Sequence, residues 1–115
     1  MPRPALVVEW PTGDDLRAWL PSEAVSAVTD ATLIDLVVAD AAASIIERCD
    51  PAKLPSDEDQ CPRSVHRAIV LAAAKLLYRR QAPHGLAAFA EVAVRIRADT
   101  DAESALLPFL SGPEP

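Results

Sequence analysis

The sequence predicts a mainly all-α fold: a small helical bundle with two long antiparallel helices, short N- and C-terminal helices and one extended segment near residues 87–97. Three observations lead there. Half of the 115 residues are hydrophobic but only 4% are aromatic, and a stock of Ala, Leu, Val and Ile suits closely approaching helices better than a β-sandwich. Two stretches, 29–48 and 62–81, carry apolar residues at helical spacing. Prolines stand where helical stretches must stop, at Pro21, Pro51 and Pro83.

A chain of this length holds one domain, divided here into an extended N-terminal arm at 1–11, a single helical domain at 12–110 and a disordered tail at 111–115. Within the domain, Thr12-Gly13-Asp14-Asp15 offers capping oxygens and negative charge to a helix start. The short helix it opens, Asp14 to Leu20, buries Leu16, Trp19 and Leu20. The first long helix runs from Thr29 or Asp30 to Arg48, with Leu33, Ile34, Val37, Val38, Ala41 and Ile45 on its core face. An acidic, proline-containing loop at 50–61 follows. Pro62 takes the first position of the second long helix, where its missing N–H is tolerated. That helix reaches Gln81 and turns Val65, Ile69, Ala72, Ala73, Leu76 and Leu77 inward.

Both long helices have a second face. On the first it comprises Leu36, Ala39, Ala43 and Ile46, flanked by Asp40 and Glu47; on the second, Arg67, Leu71, Lys75 and Tyr78. These ten residues form the candidate subunit interface. The competing account is that the N-terminal arm and the last helix cover them within one subunit. Further along, Val92, Val94 and Ile96 alternate with Ala93, Arg95 and Arg97, a period of two that predicts an extended piece. Val92, Val94, Arg95, Ile96 and Arg97 are the candidate assembly arm, which has to pair with Leu6-Val7-Val8 or with a neighbouring copy. Thr100 to Glu103 reads as a capping box for a last short helix through Leu107.

Charge is arranged in blocks. Residues 1–60 hold 12 acidic and 4 basic side chains, residues 61–97 hold 7 basic and 1 acidic, and residues 98–115 hold 4 acidic, for a total of −6. An acidic chain is not a general nucleic-acid binder, whose affinity rests on neutralising phosphates. Alternating blocks serve pairing between neighbouring helices, or head-to-tail contact between copies. The start, with Glu9 interrupting a short apolar run, is not a signal peptide, and the apolar stretches fall far below the ~18 residues of a membrane span.

No catalytic, cofactor-binding or metal site is predicted. His66 and His84 lie on different elements without metal-ligand spacing. Asp57-Glu58-Asp59 lacks the alternating ligands and turn glycine of a calcium loop. Cys49 and Cys61 flank the inter-helix loop and are expected to remain thiols in a reducing cytosol. The chain is therefore expected not to be an enzyme.

The order of these pieces resembles the head-to-tail connector (adaptor, head-completion) proteins of tailed bacteriophages and prophages, most closely those of actinobacterial phages. The resemblance is carried by Asp14-Asp15-Leu16-Arg17-Ala18-Trp19-Leu20, by Leu33 to Glu47 with its Ala-Ala-Ala-Ser-Ile-Ile-Glu, and by Cys61-Pro62-Arg63-Ser64-Val65 leading to Tyr78-Arg79-Arg80. Pro83-His84-Gly85-Leu86-Ala87-Ala88-Phe89, Val94-Arg95-Ile96 and Asp101 to Leu110 complete it, over about residues 12–110. Leu86 to Glu91 departs from the family's glycine-rich stretch. The resemblance implies a structural virion protein of the neck: a ring, usually a dodecamer, beneath the portal. Its partners would be further copies of itself, the portal protein and the stopper or tail-side neck protein, with DNA passing through the channel without sequence-specific binding. Such a protein is made in the host cytoplasm, ends in the virion at the head–tail junction, and contacts no membrane. The alternative is a small helical regulatory or protein-interaction module, with association with DNA as one form of it.

Overall fold

The chain is seen in a computed structural model that describes residues 7–28, 30–55, 59–81, 89–99 and 107–110. It is mainly helical. In order, a short strand β1 (Val7–Val8) precedes helices α1 (Gly13–Trp19), α2 (Ser22–Ala27) and α3 (Ala31–Arg48), then strand β2 (Cys61–Pro62), α4 (Arg63–Gln81) and α5 (Ala90–Ala98). Single 3₁₀ turns lie at Pro51–Lys53 and Leu107–Phe109.

Local chemistry sets the helix boundaries. At the start of α1 the Thr12 N–H donates to the Asp15 carboxylate at 2.7 Å, which satisfies a backbone donor that the helix cannot. Gly13 is buried there because a Cβ would collide with the Asp35 carboxylate of α3. Pro21 ends α1, as expected, but its carbonyl accepts from the Ala24 and Val25 N–H groups and starts α2, a helix the proline signal concealed. Asp30 caps α3 by accepting from the Thr32 N–H at 3.0 Å. The Thr32 hydroxyl and then its backbone N–H hold the Asp30 carboxyl below its ordinary range, so this cap contributes above that range and fades as pH falls through it.

Helices α3 and α4 form the predicted antiparallel hairpin and make the most extensive contact in the fold. One hydrophobic core runs through it, joining Ile34, Val37, Val38, Ala41 and Ile45 of α3 to Val65, Ile69, Ala73 and Leu77 of α4. Leu33, Ala72 and Leu76, expected in the core, are only half-buried and pack on its margin. The inward face of α4 is instead widened by Ala68, Val70 and Ala74, because α1, α5 and β1 pack on it as well as α3. Leu77→Ala should therefore cost about 2–5 kcal/mol by lost burial plus a cavity, and Leu76→Ala clearly less. Denaturant melts of the two variants check this, and equal costs would contradict the observed phase of α4.

Two expectations are corrected. Pro62 is not the first residue of α4 but the last of β2, whose partner is the N-terminal arm: Val7 pairs with Pro62 and Val8 with Cys61, antiparallel. A proline is tolerated in so short an edge pairing. The larger correction concerns residues 90–98, which are α-helical rather than extended. Val92 and Ile96 are four apart, a spacing common to periods of 2 and 3.6, so only Val94 distinguishes the two. Val92 is fully buried and Val94 is 60% exposed, which is helical phase. Ala90, Ala93 and Ala98 favour the helix, and Glu91 and Arg95 pair across one turn at 3.2 Å. The expected capping box at 100–103, the 82–88 turn, Asp57-Glu58 and the tail at 111–115 lie outside the described residues.

At the turn of the hairpin both described ends of the chain are fastened. Cys49 forms a backbone bridge with Leu110, the Asp50 N–H donates to the Phe109 carbonyl at 2.9 Å, and the Lys53 ammonium donates to the Leu110 carbonyl at 3.0 Å. The β1–β2 pairing holds the other end beside them through Cys61.

Candidate interaction surfaces

All six residues of the α3 half of the candidate interface lie on the surface. Leu36 is 53% and Ile46 41% exposed, with Ala39 and Ala43 between them and Asp40 and Glu47 alongside. No described element covers this stripe. Two exposed branched aliphatics separated by small residues make a ridge that another helix can approach closely. Burying what remains exposed of Leu36 and Ile46 would contribute on the order of 1 kcal/mol each.

The α4 half behaves differently. Leu71 is 3% exposed and so lies inside the chain rather than on an outer face. Tyr78 is half-buried against the core margin and Lys75 is half-buried. Arg67 is exposed but held by a two-pronged ion pair to Asp99, at 2.7 Å from Nη2 and 3.4 Å from Nε. A shallow groove of about 260 Å³ opens along the α3–α4 seam, with Ala41, Ala68, Leu71 and Ala72 in its floor and Arg48, Lys75 and Arg79 at its rim. That volume is below the ~300–1,000 Å³ of small-molecule pockets.

The candidate assembly arm is fastened to its own subunit. Val92 is buried, Ile96 packs on the core margin, and Arg95 donates to the Trp19 carbonyl at 2.6 Å, a carbonyl at the C-terminus of α1 where a cation is favoured. Arg67 clamps Asp99, the C-cap of α5, at the same end of the helix. Arg97 and Val94 face outward. The idea of an unpaired strand waiting for a partner fails on these contacts.

Four arginines are engaged by carboxylates within the chain. Arg17 pairs with Asp14 and Asp35, Arg67 with Asp99, Arg80 with Asp40 and Arg95 with Glu91. Two of these pairs, Arg67–Asp99 and Arg80–Asp40, join the basic block to the acidic blocks on either side of it. Being exposed, the Arg17, Arg80 and Arg95 pairs contribute little stability, ~0–1 kcal/mol each.

A larger open groove, about 1090 Å³, was not apparent in the sequence. Trp10, Trp19, Pro62 and Phe109 supply its apolar walls and Asp15, His66, Arg67 and Asp99 its polar ones. The two tryptophans are brought together by the β1–β2 pairing and by α1. Their rarity in an aromatic-poor chain was the available signal. His66 Nε2 stands 3.7 Å from Asp15 Oδ1, beyond hydrogen-bonding reach, so the two form a loose contact and not a proton relay. Among the described residues no group of three or more His, Cys, Asp or Glu is placed to hold a metal ion, and no helix is long and apolar enough to cross a membrane.

Cys49 and Cys61 are free, buried thiols. Burial above all, and then the nearby Cys49, push the Cys61 thiol up to about 12 from an ordinary 9.0, and burial raises Cys49 as well. The folded chain thus keeps a proton that the unfolded chain releases. The stability this represents is fully present below pH 9 and is lost as pH rises toward 12. Urea melts should show falling stability across that window, and a flatter alkaline limb in Cys61→Ala. An unchanged limb would mean Cys61 is not held protonated.

No protein-family model, curated protein or solved structure matches this chain.

Proposed function

We propose that this chain is a structural adaptor of a tailed-phage or prophage neck, a subunit of a ring that joins the portal to the stopper or tail-side protein around a DNA channel. The observation that carries the reading is the outer stripe of α3. Leu36, Ala39, Ala43 and Ile46 form an apolar ridge beside acidic residues that no described element covers, on the outer face of α3 in a small, mainly helical domain. A monomer gains nothing from such a face, whereas a repeating subunit needs one for every neighbour. The sequence resemblance over residues 12–110 supports the same reading.

The test is co-assembly. The purified chain is mixed with the portal ring encoded by the same genome, and the product is examined by native mass measurement and negative-stain microscopy. A portal carrying an added ring of this chain is the expected result. A portal that remains bare at saturating concentrations overturns the proposal.

A further inference from the structure

We infer that the acidic ridge of α3 in one copy seats in the basic-rimmed α3–α4 groove of the next, so that copies join head to tail. This rests on the adaptor reading and names the partner of its apolar face: a second copy of the same chain.

The two surfaces complement each other in shape and sign. The ridge offers Leu36 and Ile46 as projecting side chains, with Asp40 and Glu47 beside them. The groove offers a floor of small residues, Ala41, Ala68 and Ala72, and a rim that includes Lys75 and Arg79. No ion pair within the chain engages Lys75, Arg79 or Glu47 among the described residues, while Asp40 meets Arg80 only at 3.4 Å. The small floor lets a helix approach closely, and the opposed charges favour this register over ridge-on-ridge contact, which would bring Asp40 and Glu47 against their own copies.

Direction follows from the helix. At 100° per residue the ridge and the α3 wall of the groove point roughly 150° apart. One copy can therefore donate its ridge to one neighbour while accepting the ridge of another. That is a heterologous contact, which propagates into a closed ring or an open filament and cannot stop at a symmetric dimer.

Two double variants test this. Leu36→Asp with Ile46→Asp spoils the ridge and leaves the groove; Lys75→Glu with Arg79→Glu spoils the groove and leaves the ridge. All four positions lie outside the fully buried core, and circular dichroism confirms that each variant is folded. Sedimentation at concentrations where the native chain self-associates should show each variant alone to be monomeric, with association weakened at least ~100-fold. An equimolar mixture of the two should yield a one-to-one dimer and nothing larger, because one intact ridge meets one intact groove. The inference is overturned by a mixture that stays monomeric, by a groove variant that associates like the native chain, or by a native chain that stays monomeric at millimolar concentration. If both variants still complete a ring on the portal, the seat assigned here fails while the adaptor reading stands.

Discussion

Phe89→Ala should destabilise the chain by about 3–5 kcal/mol and release α5 from the bundle. Phe89 is 1% exposed and heads the largest fully buried side chains. It sits at the N-cap of α5, one turn before Val92, so the two form the apolar foot on which the helix stands. Removing the ring leaves a void among aliphatics that cannot close without moving α5. It would also loosen the Arg95 hydrogen bond to the Trp19 carbonyl. Hydrogen exchange at 90–98 should then approach that of an unprotected segment, whereas protection is expected there in the native chain. Val94→Ala is the matched control: at 60% exposed it should shift stability by no more than about 0.5 kcal/mol. A comparably small effect for Phe89→Ala would mean that α5 is not docked.

The second large effect is on assembly. Ala43→Glu, and separately Ala39→Glu, should leave the circular-dichroism spectrum unchanged and stability within about 0.5 kcal/mol, since both residues are exposed in the single chain. Each should nevertheless prevent joining to the portal or to further copies. Facing the alanine floor of the groove rather than its basic rim, a carboxylate buried there costs on the order of 3–5 kcal/mol, which exceeds what the ridge contributes. Portal-binding measurements on the folded variants decide it. Variants that unfold would place the stripe in the core, and variants that fold and still assemble would remove α3 from the interface.

The hairpin was legible in the sequence because length and periodicity agree there. Eighteen residues of α3 and nineteen of α4 give five turns each over which an apolar stripe repeats, and prolines and an acidic loop mark the turn. The exposed ridge of α3 was legible for the same reason. Leu71 was misplaced because an angular wheel records direction and not the number of neighbours. α4 is surrounded on several sides, so a residue away from its main stripe still becomes buried. Segment 90–98 was misread because its alternating valines fit two periods, and the deciding facts are tertiary: the burial of Phe89 and the two arginine clamps. α2 was missed because Pro21, whose ring and missing N–H end one helix, also starts the next with its carbonyl. The tryptophan groove depends on a pairing between residues 7–8 and 61–62 that no local pattern announces.

That pairing, with the bridge from Cys49 to Leu110, has a bearing on the order in which the fold is made and unmade. The contacts span ~55 and ~61 residues of chain, read from Val7–Pro62 and Cys49–Leu110, whereas the hairpin closes over a much shorter loop. Loop entropy and the dependence of rate on contact separation place the hairpin first and the two fastenings after it. They meet at one end of the hairpin, on opposite sides of its turn, without sharing a hydrogen bond. Either can consequently open while the helices stay folded, as a sub-global unfolding step. A chain built this way can give up one end to a larger assembly and remain a folded subunit.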